Sequence, residues 1–202
     1  MKTIRASSPD EAILVWLQAE LKSKRFQNDL QKSLDKYELS TQIITDPDLS
    51  DVAENRLRLK ILKDYRDWFD KDVYAYNWKL VELTANDIKT LRYIDYSYWN
   101  ELSDDTQLVG VAAKNVKRGK VVFDVSNDHF FDIAKAVDAG TQFPPIVALE
   151  NGQGLEIIEG HARATGYLLS NNRSKPLQAI IVTTLPPSRQ GDSATTSQPL
   201  FS

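Results

Sequence analysis

Residues 155–167 read LEIIEGHARATGY, and the fold class turns on this stretch. Leu155–Ile158 is a short apolar run of strand length, while Ala164, Tyr167, Leu168 and Leu169 recur at helical spacing. Gly160 stands where the period changes from two to 3.6, so the sequence predicts a strand that feeds directly into a helix. Such a junction is a ready anion site. The first helical turn presents unpaired backbone N–H groups at the positive end of the helix dipole. Gly160 has no side chain to hold a ligand off that backbone. Arg163, one turn in, has the reach to fork onto phosphate oxygens, or to pair with Glu159 across the turn. His161 can donate to an anion or accept a proton. Glu159 can orient a ligand hydroxyl or amine, take a proton, hold a magnesium ion or serve as a salt-bridge partner. The candidate ligand-binding residues are therefore Gly160, His161, Ala162 and Arg163, with Glu159 and His161 as the candidate acid–base groups. No metal centre is expected, since His129 and His161 are the only histidines and lie far apart in sequence.

Working outward, Ile146–Leu149 reads as an apolar strand, and Asn151–Gly154 (NGQG) as the turn joining it to the next. Upstream of it, Asp128–Ala139 reads as a helix stopped by Gly140, with Ser126 or Asn127 as its cap. Val121–Val125 (VVFDV) is a further strand candidate. Downstream, Arg173 and Lys175 lie in a polar loop, and Leu177–Val182 is the last apolar strand. Residues 186–202 are rich in Ser, Thr, Pro and Gln and are expected to be disordered.

The first 119 residues read as mostly helical. Ser8, Pro9 and Glu11 have the spacing of a helix start, and Ile13, Trp16, Leu17 and Leu21 follow at helical intervals. Leu30, Leu34 and Tyr37 continue the pattern after a bend near Arg25–Asn28. Residues 40–49 look like a loop. From Ser50 a second helix carries Leu57, Ile61, Tyr65 and Trp68 on one face and mixed charges on the other. Trp78–Leu83 (WKLVEL) alternates like a short strand, and Thr84 is placed to cap the helix after it. The aromatic run Tyr93, Tyr96, Tyr98 and Trp99 has the composition to stack on a base, but is read as core or as a domain contact, the commoner use of such a cluster. Residues 107–117 fit either a helix or a pair of strands. The expectation is an α+β fold: a helical N-terminal region (1–119), a small mixed sheet with helices (120–185) and a tail (186–202).

Composition narrows the function classes. The 202 residues contain no cysteine, which removes disulfides, thiolate nucleophiles and cysteine-held zinc from consideration and fits a reducing, cytoplasmic setting. Net charge is −3 with both signs interspersed, so nucleic acid is a disfavoured partner. No window approaches membrane-spanning length, and no membrane association is expected.

The order of helix, Gly140, Pro144-Pro145-Ile146-Val147, Gly turn, apolar strand and Gly160-His161-Ala162-Arg163 resembles the ParB/sulfiredoxin-like superfamily over about 60 residues, Asp124–Val182. ParB-type proteins carry a Gly-Glu-Arg-Arg box at this junction and sulfiredoxins Gly-Cys-His-Arg; Gly160 and Arg163 match the outer positions of both. The resemblance implies that Gly160 and Arg163 contact nucleotide phosphates. It also implies a ligand such as ATP or another nucleotide, with or without magnesium, and a phosphotransferase or nucleotide hydrolase as the activity. The departures are specific. Without a box cysteine, sulfinic-acid reduction is excluded; Ala162 replaces an arginine of the ParB box; and no room remains after the last strand for a helix-turn-helix. A non-catalytic interaction module, docking a protein or forming a homodimer through the N-terminal helices, is the competing expectation.

Overall fold

Leu177–Thr183 (LQAIIVT) is apolar on both faces, as a strand must be when it is covered from both sides. The computed structural model, which describes residues 1–23, 25–66, 73–173 and 175–183, places this strand near the middle of a six-stranded mixed sheet. The strands are β1 (Lys2–Ala6), β2 (Asn77–Leu83), β3 (Arg92–Tyr93), β4 (Ile146–Asn151), β5 (Gly154–Glu159) and β6 (Leu177–Thr183). Their order is β1-β2-β6-β4-β5-β3. β2 pairs antiparallel with β1 and β6, β6 runs parallel to β4, β4 and β5 form an antiparallel hairpin, and β3 runs parallel to β5.

Because alternate side chains point to opposite faces of a strand, the sheet separates two cores. Trp78, Leu80, Val147, Ile158, Ile180 and Val182 face one, shared with α1 (Pro9–Leu21), α2 (Gln27–Lys36), α3 (Gln42–Thr45) and α4 (Val52–Lys63). Val81, Leu83, Ala148, Ile157, Ala179 and Ile181 face the other. That second core is completed by α5 (Ala85–Thr90), α6 (Ser97–Leu102), α7 (Val109–Lys117), α8 (Asp128–Asp138) and α9 (His161–Leu169). Helices thus cover both faces of an α+β sheet.

Local signals account for many element ends. Ser8 Oγ accepts from Glu11 N at 3.1 Å and Pro9 opens α1, as its spacing predicts. The Glu11 carboxylate does not close the capping box; it takes Arg5 and Ser7 instead. Thr84 and Asp87 do form a capping box at α5. Arg58, fully buried on α4, ties α3 and the loop after it to α4 through Ile43 O and Asp48 O, and also bonds Glu54 and Asn55 of its own helix. Gly166 lets α9 lie directly on α8, for a Cβ there would stand 2.5 Å from Ile133 Cγ2.

Several expectations change. Ahead of the first expected helix, Lys2–Ala6 forms an exposed edge strand. With β2 and β3, it brings three strands from the first 119 residues into the same sheet as β4–β6, so the sheet runs across residue 120. Within 107–117, Val109–Lys117 is helix α7, and a one-turn helix, α3, sits inside the expected loop 40–49. The second helix stops at Lys63, short of Tyr65, and Trp68 lies outside the described residues. Val121–Val125 is not a strand but a tight turn closed by the Val122–Val125 bridge. Asn127 heads α8 without a side-chain cap bond; Ser126 Oγ accepts from Asp128 N instead. The tail assigned to 186–202 lies outside the described residues. Among the described residues no helix is long and apolar enough to cross a membrane.

Candidate ligand-binding cleft

β5 delivers Glu159 to the edge of the helical layer, and Gly160 turns the chain into α9 with φ +96°. That value belongs to the left-handed region, where a side chain is strained. Packing demands glycine as well. A Cβ here would lie 2.5 Å from Ile146 Cγ2 and 3.1 Å from Arg163 Nη2. The missing side chain therefore leaves room for β4 and Arg163, not directly for a ligand. Gly160 supplies no side-chain cap to α9, so the first-turn amides of His161, Ala162 and Arg163 are left to other partners.

Arg163 is turned inward. Its Nη1 donates to Pro144 O and Pro145 O, both at 2.8 Å, and its Nη2 pairs with Glu159 Oε1 at 2.7 Å. Only 11% of the side chain is exposed. The guanidinium braces the entry to β4 against the β5–α9 junction, and the phosphate grip expected of it meets a side chain already engaged. Burial raises the Glu159 pKa, against the Arg163 charge, and nearby Glu20 adds to the rise.

His161 stacks on Trp99 with ring centroids 5.2 Å apart and planes 12° apart, and on Tyr93 at 6.0 Å. Burial drives its pKa down to about 3, helped by the Arg163 and Arg66 charges and opposed by the Ile157 carbonyl. The ring is neutral at physiological pH, which keeps its hydrogen bonding but makes it a weak proton acceptor. Its Nε2 is sealed from solvent without a hydrogen-bond partner among the described residues. A buried, unsatisfied nitrogen costs stability unless something binds it. His129 lies elsewhere, against Phe130 and bonded to Ser126 O.

All five residues from Glu159 to Arg163 line one cleft of about 380 Å³. Its other walls come from distant sequence: Trp16, Ala19 and Glu20 of α1, Ser23, Arg25 and Phe26 of the α1–α2 turn, Arg66 beyond α4, and Ile94, Tyr96 and Trp99 around α6. Glu20 is 2% exposed and accepts from Trp16 Nε1 at 2.8 Å and from Arg66 through Nε and Nη2. Arg66 lies 4.0 Å from the Phe26 ring centroid. Its Nη1 makes no hydrogen bond among the described residues, and Arg25 has no ion-pair partner among them.

Sequence reasoning missed this opposite wall. One signal was present: Glu20 lies four residues after Trp16 on the apolar face of α1, an unusual place for a carboxylate without a partner. Arg66 and Arg25 gave no signal. Trp99, read as core, shares its ring between the second core and the cleft.

Comparison with protein-family models, with curated proteins and with solved structures finds no match to the chain.

Proposed function

We propose that this cleft binds a small phosphate-bearing molecule of the nucleotide class. The observation that carries the reading is the convergence of the uncapped α9 N-terminus, aromatic walls and the Arg25 and Arg66 side chains on one cleft. Phosphate oxygens would take the first-turn amides, with Arg66 Nη1 and Arg25 facing them from the opposite wall. A planar base would lie against Trp99, Tyr96 or Phe26. The resemblance of Gly160–Arg163 to the ParB/sulfiredoxin box supports the same ligand class by analogy. Arg163 acts in this scheme as the brace that fixes the junction. Glu159, salt-bridged and largely desolvated, and His161, held neutral, favour binding over proton transfer.

The inward engagement of Arg163 also favours a second reading, a non-catalytic module that keeps the junction for its packing alone. A thermal-shift panel of nucleoside mono-, di- and triphosphates, with and without magnesium, separates the two. A ligand held at one hundred times its dissociation constant stabilises the fold by about 2.7 kcal/mol. A nucleotide that raises the melting temperature in a saturable way supports the first reading, and a flat panel supports the second.

A further inference from the structure

Of the ten large hydrophobic side chains exposed among the described residues, four fall within residues 121–131: Val121, Phe123, Val125 and Phe131. Three of them lie in the turn between α7 and α8, and Phe131 lies in the first turn of α8. Phe123 is 64% exposed at its tip. The turn is not a loose loop. Val125 N donates to Val122 O at 3.0 Å, Val122 is buried beneath it, and Asn127 Nδ2 donates to Lys120 O at 2.7 Å across its base. Lys120 is in turn held by Asp104.

The two central residues, Phe123 and Asp124, have φ of +49° and +58°. A turn of this shape favours Asn-Gly or Asp-Gly, and a bulky aromatic at positive φ is an outlier. The fold therefore holds a large apolar ring in a strained backbone and points it at solvent, where it contributes nothing to either core. Strain kept at an exposed tip is a reason to look for a contact made there.

The charges beside the tip are arranged with opposite signs at its two feet. The end of α7 supplies Lys114, Lys117 and Arg118, all exposed and without ion pairs among the described residues. The tip and the start of α8 supply the exposed Asp124, Asp128 and Asp132, of which Asp132 alone is paired, with Lys135 at 3.8 Å. An apolar centre with one basic and one acidic foot is complementary to itself under a two-fold rotation, which sets each basic foot against the other copy's acidic foot. The carboxylate of Asp124 at the very tip argues against insertion into an anionic lipid surface.

We infer that the α7–α8 turn is an isologous interface through which two copies of this chain associate, with Phe123 as its central anchor. The inference is independent of the cleft and of its ligand. Sedimentation equilibrium of the full chain through the micromolar range should show the mass rising from one copy toward two. Phe123→Asn removes the anchor and accepts positive φ, so it should weaken association by at least about tenfold while leaving the melting temperature of the dilute, dissociated chain unchanged or higher. Lys117→Glu and Asp128→Lys should each weaken association, and the double variant should recover it. A chain that stays monomeric throughout overturns the inference, as does association that persists in Phe123→Asn or a double variant no better than either single one. A monomeric chain that instead pellets with anionic phosphatidylserine vesicles in a Phe123-dependent way assigns the tip to a membrane and equally overturns it.

Discussion

Arg66 donates to the buried carboxylate of Glu20 through Nε at 2.8 Å, and so ties the segment beyond α4 to the last turn of α1. The pair forms the wall of the cleft that faces the β5–α9 junction. Burial raises the pKa of the neighbouring Tyr65 phenol, Glu20 adds to the rise, and the Arg66 charge opposes it. One side of the cleft is thus built by helices that pack on one face of the sheet, and the other by the strand-to-helix junction at its edge.

Removing Arg66 leaves Glu20 buried without its cation. Arg66→Met should lower stability by about 3 kcal/mol, the usual result of breaking one half of a buried pair. Adding Glu20→Gln should recover part of that loss, since the stranded charge is then gone. Urea denaturation of the two single variants and the double variant gives the coupling directly.

Gly160→Ala should destabilise by about 2–4 kcal/mol, combining a left-handed backbone with a Cβ forced against Ile146. The companion Ile146→Ala/Gly160→Ala removes the clash but not the backbone strain. It should still lie below wild type, since it also loses the burial of Ile146, which is 0% exposed.

Arg163→Ala should cost about 2–3 kcal/mol, because two carbonyls and the Glu159 carboxylate lose their donor together. Its signature is the coupling of effects. If Arg163 braces the junction, ligand affinity and unliganded stability fall together. A variant that loses binding while melting like the wild type would make Arg163 a direct ligand contact instead.

Much of this architecture could be read from residues. Strands β4, β5 and β6 and helices α8 and α9 carry clear periodicity and glycine stops, and Glu159–Arg163 could be picked out because a strand meets a helix there. Two kinds of feature stayed hidden. β1 is polar and wholly exposed, so its pairing with β2 leaves no apolar alternation to read. VVFDV has the composition of a strand, yet Phe123 and Asp124 take positive φ, a choice made by the tertiary setting against local preference. The far wall of the cleft was hidden for another reason: Glu20, Arg25, Arg66 and Trp99 converge only in three dimensions, and nothing in their spacing announces it.

Acid should expose the state of His161. Its pKa is depressed from 6.5 to about 3, so the unfolded chain takes up a proton that the folded chain refuses. The stability from the neutral ring is fully present above pH 6.5 and is lost as pH falls toward 3, with about 2 kcal/mol gone by pH 5. Glu159, whose pKa is raised, works with the opposite sign: its contribution is greatest at low pH and is lost as pH rises. His161→Gln should therefore flatten the fall in stability between pH 7 and 5, as measured by denaturant midpoints at each pH. An unchanged slope would show that the ring titrates freely.

The central claim is that an anion docks on the first-turn amides of α9 from within the cleft. Calorimetric titration of a nucleoside triphosphate, with inorganic triphosphate in parallel, into the wild type and Ala162→Glu tests it most directly. A carboxylate in the first turn is favourable to the helix dipole, so the fold should be kept, but it sets like charge against the ligand. The expected result is saturable binding by the wild type and affinity at least about tenfold weaker in Ala162→Glu, at an equal or higher melting temperature. No binding by the wild type, or equal affinity in the two proteins, would contradict it.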